Sequence, residues 1–391
     1  MMDEEREILL LKGNEAIAHA AIRYGCDGFF GYPITPQSEV LETLAALRPW
    51  ETTGMVVLQS ESEVASINMV YAGGATGKCV MTSSSSPGVA LMQEGISYMA
   101  ACEIPGLVVS VQRGGPGLGT IQPSQSDYWQ AVYGGGNGDY RVIVLAPDSV
   151  QEMADSVGKA FDMMFEWRMP VMILSDGAIG QMMERVVLPS FRPRRTEEEI
   201  ARQCPWAVNG LGLRGRRANF MSSLEMDALE MERRNRHMQE KYKRIEGQEV
   251  LFEEYFTEDA DLLLVAYGIA ARICKGAVGL LRGKGIKAGL LRPRTLWPFP
   301  ERRLGQMSSS LGQMLVVEFS EGQMVRDVRC AVEGRCPVHF FGHSGGVMTS
   351  PEEVADEACR ILGKSNEMVS IASWQDRINT KHNICTRNVT A

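Results

Sequence analysis

From Gly13 to Asp176 the chain alternates short β-branched or apolar runs with longer amphipathic stretches, and each short run is followed by glycine, serine or proline. That rhythm predicts repeated βα units around a parallel sheet with helices on both faces. The predicted strands are Gly28–Gly31, Val56–Gln59, Cys79–Thr82, Leu107–Val111, Val142–Ala146 and Val171–Ser175. Between them, "NEAIAHAAIRYG", "EVASINMVYAGGATG" and "GVALMQEGISYMAA" carry apolar residues at helical spacing.

After "ERVVLPSFRPRR" the composition turns polar and charged, from Thr196 to Glu249, ending in a stretch rich in strong helix formers of both charge signs. It reads as a connector with a solvated helix whose basic cluster, Arg233 to Arg236, is an exposed face. Four further strands, Leu262–Ala266, Ala288–Arg292, Met314–Glu318 and Val338–Phe340, suffice for a smaller α/β domain. A length of 391 residues accommodates two domains with cores of their own. The expected division is a first domain over 8–190, the connector over 191–258, a second domain over 259–363 and a polar tail over 364–391.

The net charge of −8 supplies no cationic footprint for nucleic acid. Nine cysteines, with no CxxC pair and no signal peptide ahead of them, point to a reducing cytoplasm. No apolar run approaches the roughly 20 residues that cross a bilayer. None of the five histidines sits at metal-ligand spacing, and no metal site is expected in this chain.

In parallel α/β sheets ligands bind beyond the carboxyl ends of the strands, so the residues that follow each strand are the candidates. "YPITPQS" follows the first and places Thr35 between two prolines. "SESE" follows the second, with Glu61 and Glu63; either carboxylate could cap a helix or hold a cofactor nitrogen. "SSSSPG", Ser83 to Gly88, suits an anion, a polar ligand or a plain cap. "QRGGPGLG" sets Arg113 in a glycine-rich loop, either as a planar donor for a carboxylate or as a surface arginine. No GxSxG, G-x-G-x-x-G or Walker A pattern accompanies these motifs.

With "GNEAIAHAAIRYG", "GGGNGDYR", "RPRTLWPFP" and "VVEFSEGQM" in the same order, the set resembles the α subunit of the multi-subunit 2-oxoacid:ferredoxin oxidoreductases over about Leu10 to Gly363. The resemblance implies a thiamine-diphosphate-binding fold, with a pyrimidine domain followed by a transketolase C-terminal-like domain. It implies that Glu61 hydrogen-bonds the aminopyrimidine of thiamine diphosphate and promotes its imino tautomer. Ser84, Ser85 and Pro87 would line that cofactor, and Thr35 and Arg113 would bind the 2-oxoacid. Glu63 takes no role from it.

The pattern that holds the cofactor's diphosphate through Mg²⁺ is missing from this chain, as are cysteines spaced for an iron–sulfur cluster. The resemblance places these on partners: a β subunit, a ferredoxin-like subunit and a γ subunit, with CoA and ferredoxin as co-substrates. The chain would then be half of an active site and inactive alone. The glycine-rich motifs are most similar to those of the branched-chain enzymes acting on 3-methyl-2-oxobutanoate, with the 2-oxoglutarate branch as the alternative. A non-catalytic scaffold subunit and a stand-alone nucleotide enzyme are the competing classes.

Overall fold

The structure, a computed structural model, describes residues 7–208 and 219–364. The tail expected over 364–391 lies outside the described residues except for Lys364, as does Cys385. In chain order the strands are β1 (Ile8–Lys12), β2 (Gly28–Gly31), β3 (Val56–Gln59), β4 (Val80–Ser84), β5 (Gly106–Gln112), β6 (Ile143–Leu145), β7 (Pro170–Asp176) and β8 (Met183–Val187). They continue with β9 (Phe252–Tyr255), β10 (Leu262–Val265), β11 (Ala288–Pro293), β12 (Thr295–Trp297), β13 (Gln313–Glu318) and β14 (Val338–Gly342).

The first sheet runs in the order β12-β6-β7-β5-β4-β2-β3, parallel throughout except for β12, which pairs antiparallel with β6. The second runs β14-β13-β10-β11-β9, parallel except for β9 on its edge. All ten predicted strands form. β5 and β7 are buried along their whole length, as strands covered by helices on both faces must be. Helices such as Val150–Glu166, capped by Ser149, turn Met153, Val157, Ala160, Phe161 and Met164 into the core at helical spacing.

Periodicity does not announce β1, β8, β9 and β12. β1 and β8 pair with each other, with exposed residues on one face, and β12 is three residues long. Short edge strands are recruited by the sheet they meet, so little local pattern marks them. Two of them lie across the expected domain bounds: β9 belongs to the second sheet, and β12 reaches back to the edge of the first.

The connector helix, Ala228–Gln248, differs from the solvated helix that its composition suggests. It buries Met238, Lys241, Tyr242 and Ile245 along one stripe. Lys241 donates to Glu103 at 2.8 Å, and the Tyr242 ring meets Trp297 edge-on at 5.5 Å. Its basic cluster does form a solvated face, with Arg234 paired to Glu225 and Arg236 to Glu232, each at 2.6 Å. Three apolar residues and a lysine along one stripe, among so many charges, are too few to dominate the pattern.

Polar contacts close the seam between the two sheets. Gln125 donates to the Tyr267 carbonyl at 2.8 Å and accepts from the Phe319 N–H at 3.1 Å, while its own N–H reaches the Phe319 carbonyl at 2.8 Å. Arg292, 2% exposed, is satisfied by Glu152 and Glu253 at 2.7 Å each and by Asp148 at 3.3 Å. Replacing Gln125 by alanine leaves the buried Phe319 N–H unpaired, while the Tyr267 carbonyl keeps the Ala271 N–H at 3.2 Å. The expected loss is about 1–3 kcal/mol, read as a lower urea midpoint with an unchanged slope.

Candidate functional site

The site lies at the carboxyl ends of β2, β3, β4 and β5. The loop after β2 is tied down through its backbone: Asn14 and Gln181 donate to the Pro36 carbonyl at 2.7 and 2.9 Å, and Gln37 donates to the Tyr32 carbonyl at 3.3 Å. Gln37 in turn accepts from the Ser83 hydroxyl at 2.5 Å, which links this loop to β4. The Thr35 side chain is exposed, and it is the Thr35 carbonyl that another motif reaches.

That motif is Arg113. Its guanidinium donates to the Thr35 carbonyl at 2.8 Å and to the Leu118 carbonyl at 3.1 Å, and its Nε is buried without a partner. At 8% exposure it is no surface arginine: the glycine-rich loop folds back over it. Thr120 N–H closes that loop on the Gly114 carbonyl at 2.8 Å. Motifs 78 residues apart in sequence therefore share one rim.

The serine run is not a single turn. Ser83 and Ser84 belong to β4, Ser85 occupies the N-cap position, and helix Ser86–Ala101 begins beyond it. Ser85 does not cap that helix; its hydroxyl donates to the Val111 carbonyl at 2.8 Å. The Ser84 hydroxyl is buried with no hydrogen-bond partner. Pro87 is half-buried in the helix's first turn.

After β3 the capping question resolves onto a residue between the two candidates. Ser62 caps helix Glu63–Ala75, accepting from the Ala65 N–H at 3.2 Å. Glu63 is buried, and Glu61 is exposed with no hydrogen bond or ion pair among the described residues. Glu63 Oε1 and Ser84 Oγ lie so near Gly88 that a Cβ there would stand 2.4 and 2.1 Å from them.

Sequence reasoning passed over Asp127 and Asp176. Asp127 contacts the Ser86 hydroxyl, and burial pushes its carboxyl up to about 6 against that hydrogen bond. Asp176, at the end of β7, caps Ala178 and Ile179 and accepts from the Ile269 N–H across the seam at 3.2 Å. Burial pushes it to about 6 as well. Each raised acid favours the fold fully below about pH 4, and that contribution is lost as the pH rises through about 6. An aspartate just before a helix was the only signal that either gave.

These residues fit a ring with polar edges. The rim has a free carboxylate at Glu61, a buried hydroxyl at Ser84 still lacking a partner, and a bare α-carbon at Gly88. Glu61 and Thr35 are exposed at it. Two surface cavities of about 520 and 900 Å³ lie elsewhere, and none of Thr35, Glu61, Ser84, Ser85, Pro87 or Arg113 lines either. Among the described residues no group of three His, Cys, Asp or Glu side chains could hold a metal ion, and no helix is long and apolar enough to cross a membrane.

Residues 19–247 match the family model described as "Pyruvate flavodoxin/ferredoxin oxidoreductase, thiamine diP-bdg", and residues 260–354 match "Pyruvate:ferredoxin oxidoreductase core domain II". The chain is 45% identical to ketoisovalerate oxidoreductase subunit VorB of Methanothermobacter marburgensis, over 92% of this chain and 99% of that protein. It is 35% identical to 2-oxoglutarate synthase subunit KorA of Methanothermobacter thermautotrophicus, over 89% and 97%. A solved 2-oxoglutarate:ferredoxin oxidoreductase from Magnetococcus marinus, with 2-oxoglutarate, coenzyme A and succinyl-CoA bound, superposes with a TM-score of 0.80 at 25% identity. That superposition covers 92% of this chain and 66% of the other. A split-gene transketolase, at 14% identity and a TM-score of 0.56 over 90% and 98%, shares the fold.

Proposed function

The chain belongs to the 2-oxoacid:ferredoxin oxidoreductase family, and from that premise we propose that it is the α subunit of a complex that oxidatively decarboxylates 3-methyl-2-oxobutanoate. The products are the acyl-CoA and CO₂, and the two electrons released pass to ferredoxin. The observation that carries this reading is the 2.8 Å contact between Arg113 and the Thr35 carbonyl, which gathers the substrate motifs at the carboxyl ends of the parallel strands.

In this reading residues 8–190 are the pyrimidine-binding half, 191–258 the connector and 259–363 a transketolase C-terminal-like half. Thiamine diphosphate, when bound, supplies the electron sink for decarboxylation. Glu61 holds the proton shared with its aminopyrimidine ring, and Ser84, Ser85 and Pro87 line its near side. Arg113 turns its remaining donors to the substrate carboxylate, and the exposed Thr35 hydroxyl lies beside it. A charge-assisted contact of this kind contributes about 1.5–3 kcal/mol. Arg113→Ala should therefore lower kcat/KM for the 2-oxoacid by about 10- to 100-fold.

A β subunit with Mg²⁺, a γ subunit and a ferredoxin-like subunit with iron–sulfur clusters complete the cytoplasmic complex, and the chain is inactive alone. The exposure of Glu61 and Thr35 supports this, as do exposed apolar residues: Val56 and Leu58 on the edge strand β3, Val64 in the helix after it and Leu91 in helix Ser86–Ala101. Exposed Leu118 and Ile121 on the Arg113 loop favour an aliphatic 2-oxoacid. The solved relative with 2-oxoglutarate bound favours 2-oxoglutarate as the second reading.

The test is CoA-dependent viologen reduction by this chain co-purified with its partners, with 3-methyl-2-oxobutanoate, 2-oxoglutarate and pyruvate as substrates. Preference for the first is the expected result. Preference for 2-oxoglutarate overturns the substrate, and no reduction by a thiamine-loaded assembly overturns the activity.

A further inference from the structure

The Ser86 hydroxyl lies 3.0 Å from the Arg113 nitrogen and 3.1 Å from the Arg113 carbonyl oxygen, and it also contacts the Asp127 carboxylate. A hydroxyl has one proton and two lone pairs. The Arg113 N–H occupies one lone pair. While Asp127 is ionised, the single proton goes either to Asp127 or to the Arg113 carbonyl, and one of the two acceptors is left unserved. When Asp127 carries a proton it donates to the second lone pair, and the Ser86 proton is free for Arg113. Only then are all three contacts satisfied together.

Asp127 is held by the sheet and not by the loop it serves. Its N–H donates to Gln112 Oε1 at 3.0 Å, and Gln112 Nε2 donates to the Ser175 carbonyl on the neighbouring strand at 3.2 Å. Among the described residues the Arg113 side chain is fastened only to two backbone carbonyls, so its aim follows its own backbone.

We propose that Asp127, acting through the Ser86 hydroxyl, is a positioning residue that aims the Arg113 guanidinium at the 2-oxoacid carboxylate. The proposal rests on the reading of Arg113 as the carboxylate-binding group. Tyr267, between β10 and the helix after it, is close enough to Asp127, Asp176 and Glu318 to feel the charge of each. None of these is a cation. Burial raises the Asp127 carboxyl to about 6, and the Ser86 hydrogen bond opposes it. As the pH rises through that value, Asp127 loses its proton, Ser86 turns from the Arg113 carbonyl toward the carboxylate, and the substrate is held less tightly.

The experiment is the KM of the full assembly for its preferred 2-oxoacid between about pH 5.5 and 8, read by viologen reduction. In the unmodified protein KM should rise about tenfold across that range, with a midpoint near 6. Asp127→Asn, whose amide is a permanent donor to Ser86, should keep the low-pH KM throughout. Asp127→Ala removes the competing acceptor and should likewise hold the low KM at every pH, whereas Ser86→Ala should show the high KM throughout, with kcat changed by less than about twofold. In an Arg113→Ala background, Ser86→Ala should add nothing. A KM that still rises with pH in Asp127→Asn or Asp127→Ala overturns the proposal, as does an undiminished effect of Ser86→Ala without Arg113. If Arg113→Ala alone leaves KM unchanged, the carboxylate reading itself falls and the proposal falls with it.

Discussion

Replacing Glu61 by alanine is expected to lower turnover of the assembled enzyme by about 10²- to 10⁴-fold while leaving the fold intact. The separation of the two effects follows from the site. Glu61 is exposed and makes no hydrogen bond or ion pair among the described residues, and the helix after it is capped by Ser62. Its loss should therefore change stability by no more than about 0.5 kcal/mol. Glu61→Gln keeps the size and one acceptor but cannot share a proton with a ring nitrogen, so it should fail nearly as badly. Viologen reduction gives the turnover, and size-exclusion chromatography with bound-thiamine content reports whether the complex still forms. Near-normal turnover in Glu61→Ala would remove this chain from the proton chemistry and favour a scaffold role.

The second large effect is expected at Gly88, with the opposite balance between stability and chemistry. In an exposed helix, glycine to alanine stabilises by about 0.5–1 kcal/mol. Here the new Cβ would stand 2.1 Å from Ser84 Oγ, 2.4 Å from Glu63 Oε1 and 2.9 Å from Glu63 Cδ. Glu63 and Ser84 are both buried, so neither has free space to retreat into. The sign should reverse, to a destabilisation of about 1–3 kcal/mol. The displaced groups sit at the rim assigned to the cofactor, so retention of thiamine diphosphate should fall as well. Chemical denaturation and thiamine content after gel filtration read the two separately. A more stable Gly88→Ala would show that Ser84 and Glu63 yield easily and that the close approach is no cradle.

Much of this was legible in the chain. The alternation of apolar runs with helical stretches located ten strands, eight of them interior to their sheets, where a strand buried on both faces has no freedom to hide its composition. Loop motifs after β2, β3, β4 and β5 drew attention to Thr35, Glu61, Ser84 and Arg113, because the carboxyl ends of parallel strands are where ligands bind. The connector helix was read as solvated because its buried stripe, Met238, Lys241, Tyr242 and Ile245, is outnumbered by charges.

What the sequence by itself determined is the parallel α/β plan, the order of its units and the set of loops that can carry chemistry, all of which follow from local periodicity and turn residues. Only the tertiary structure decided that Arg113 is buried against the Thr35 loop and that Ser86 joins Asp127 to Arg113. It also brought β12 back to the first sheet and set Gln125 into the seam. The reason is the same in each case: a hydrogen bond between groups distant in the chain depends on how whole elements pack, and no window of sequence contains both partners.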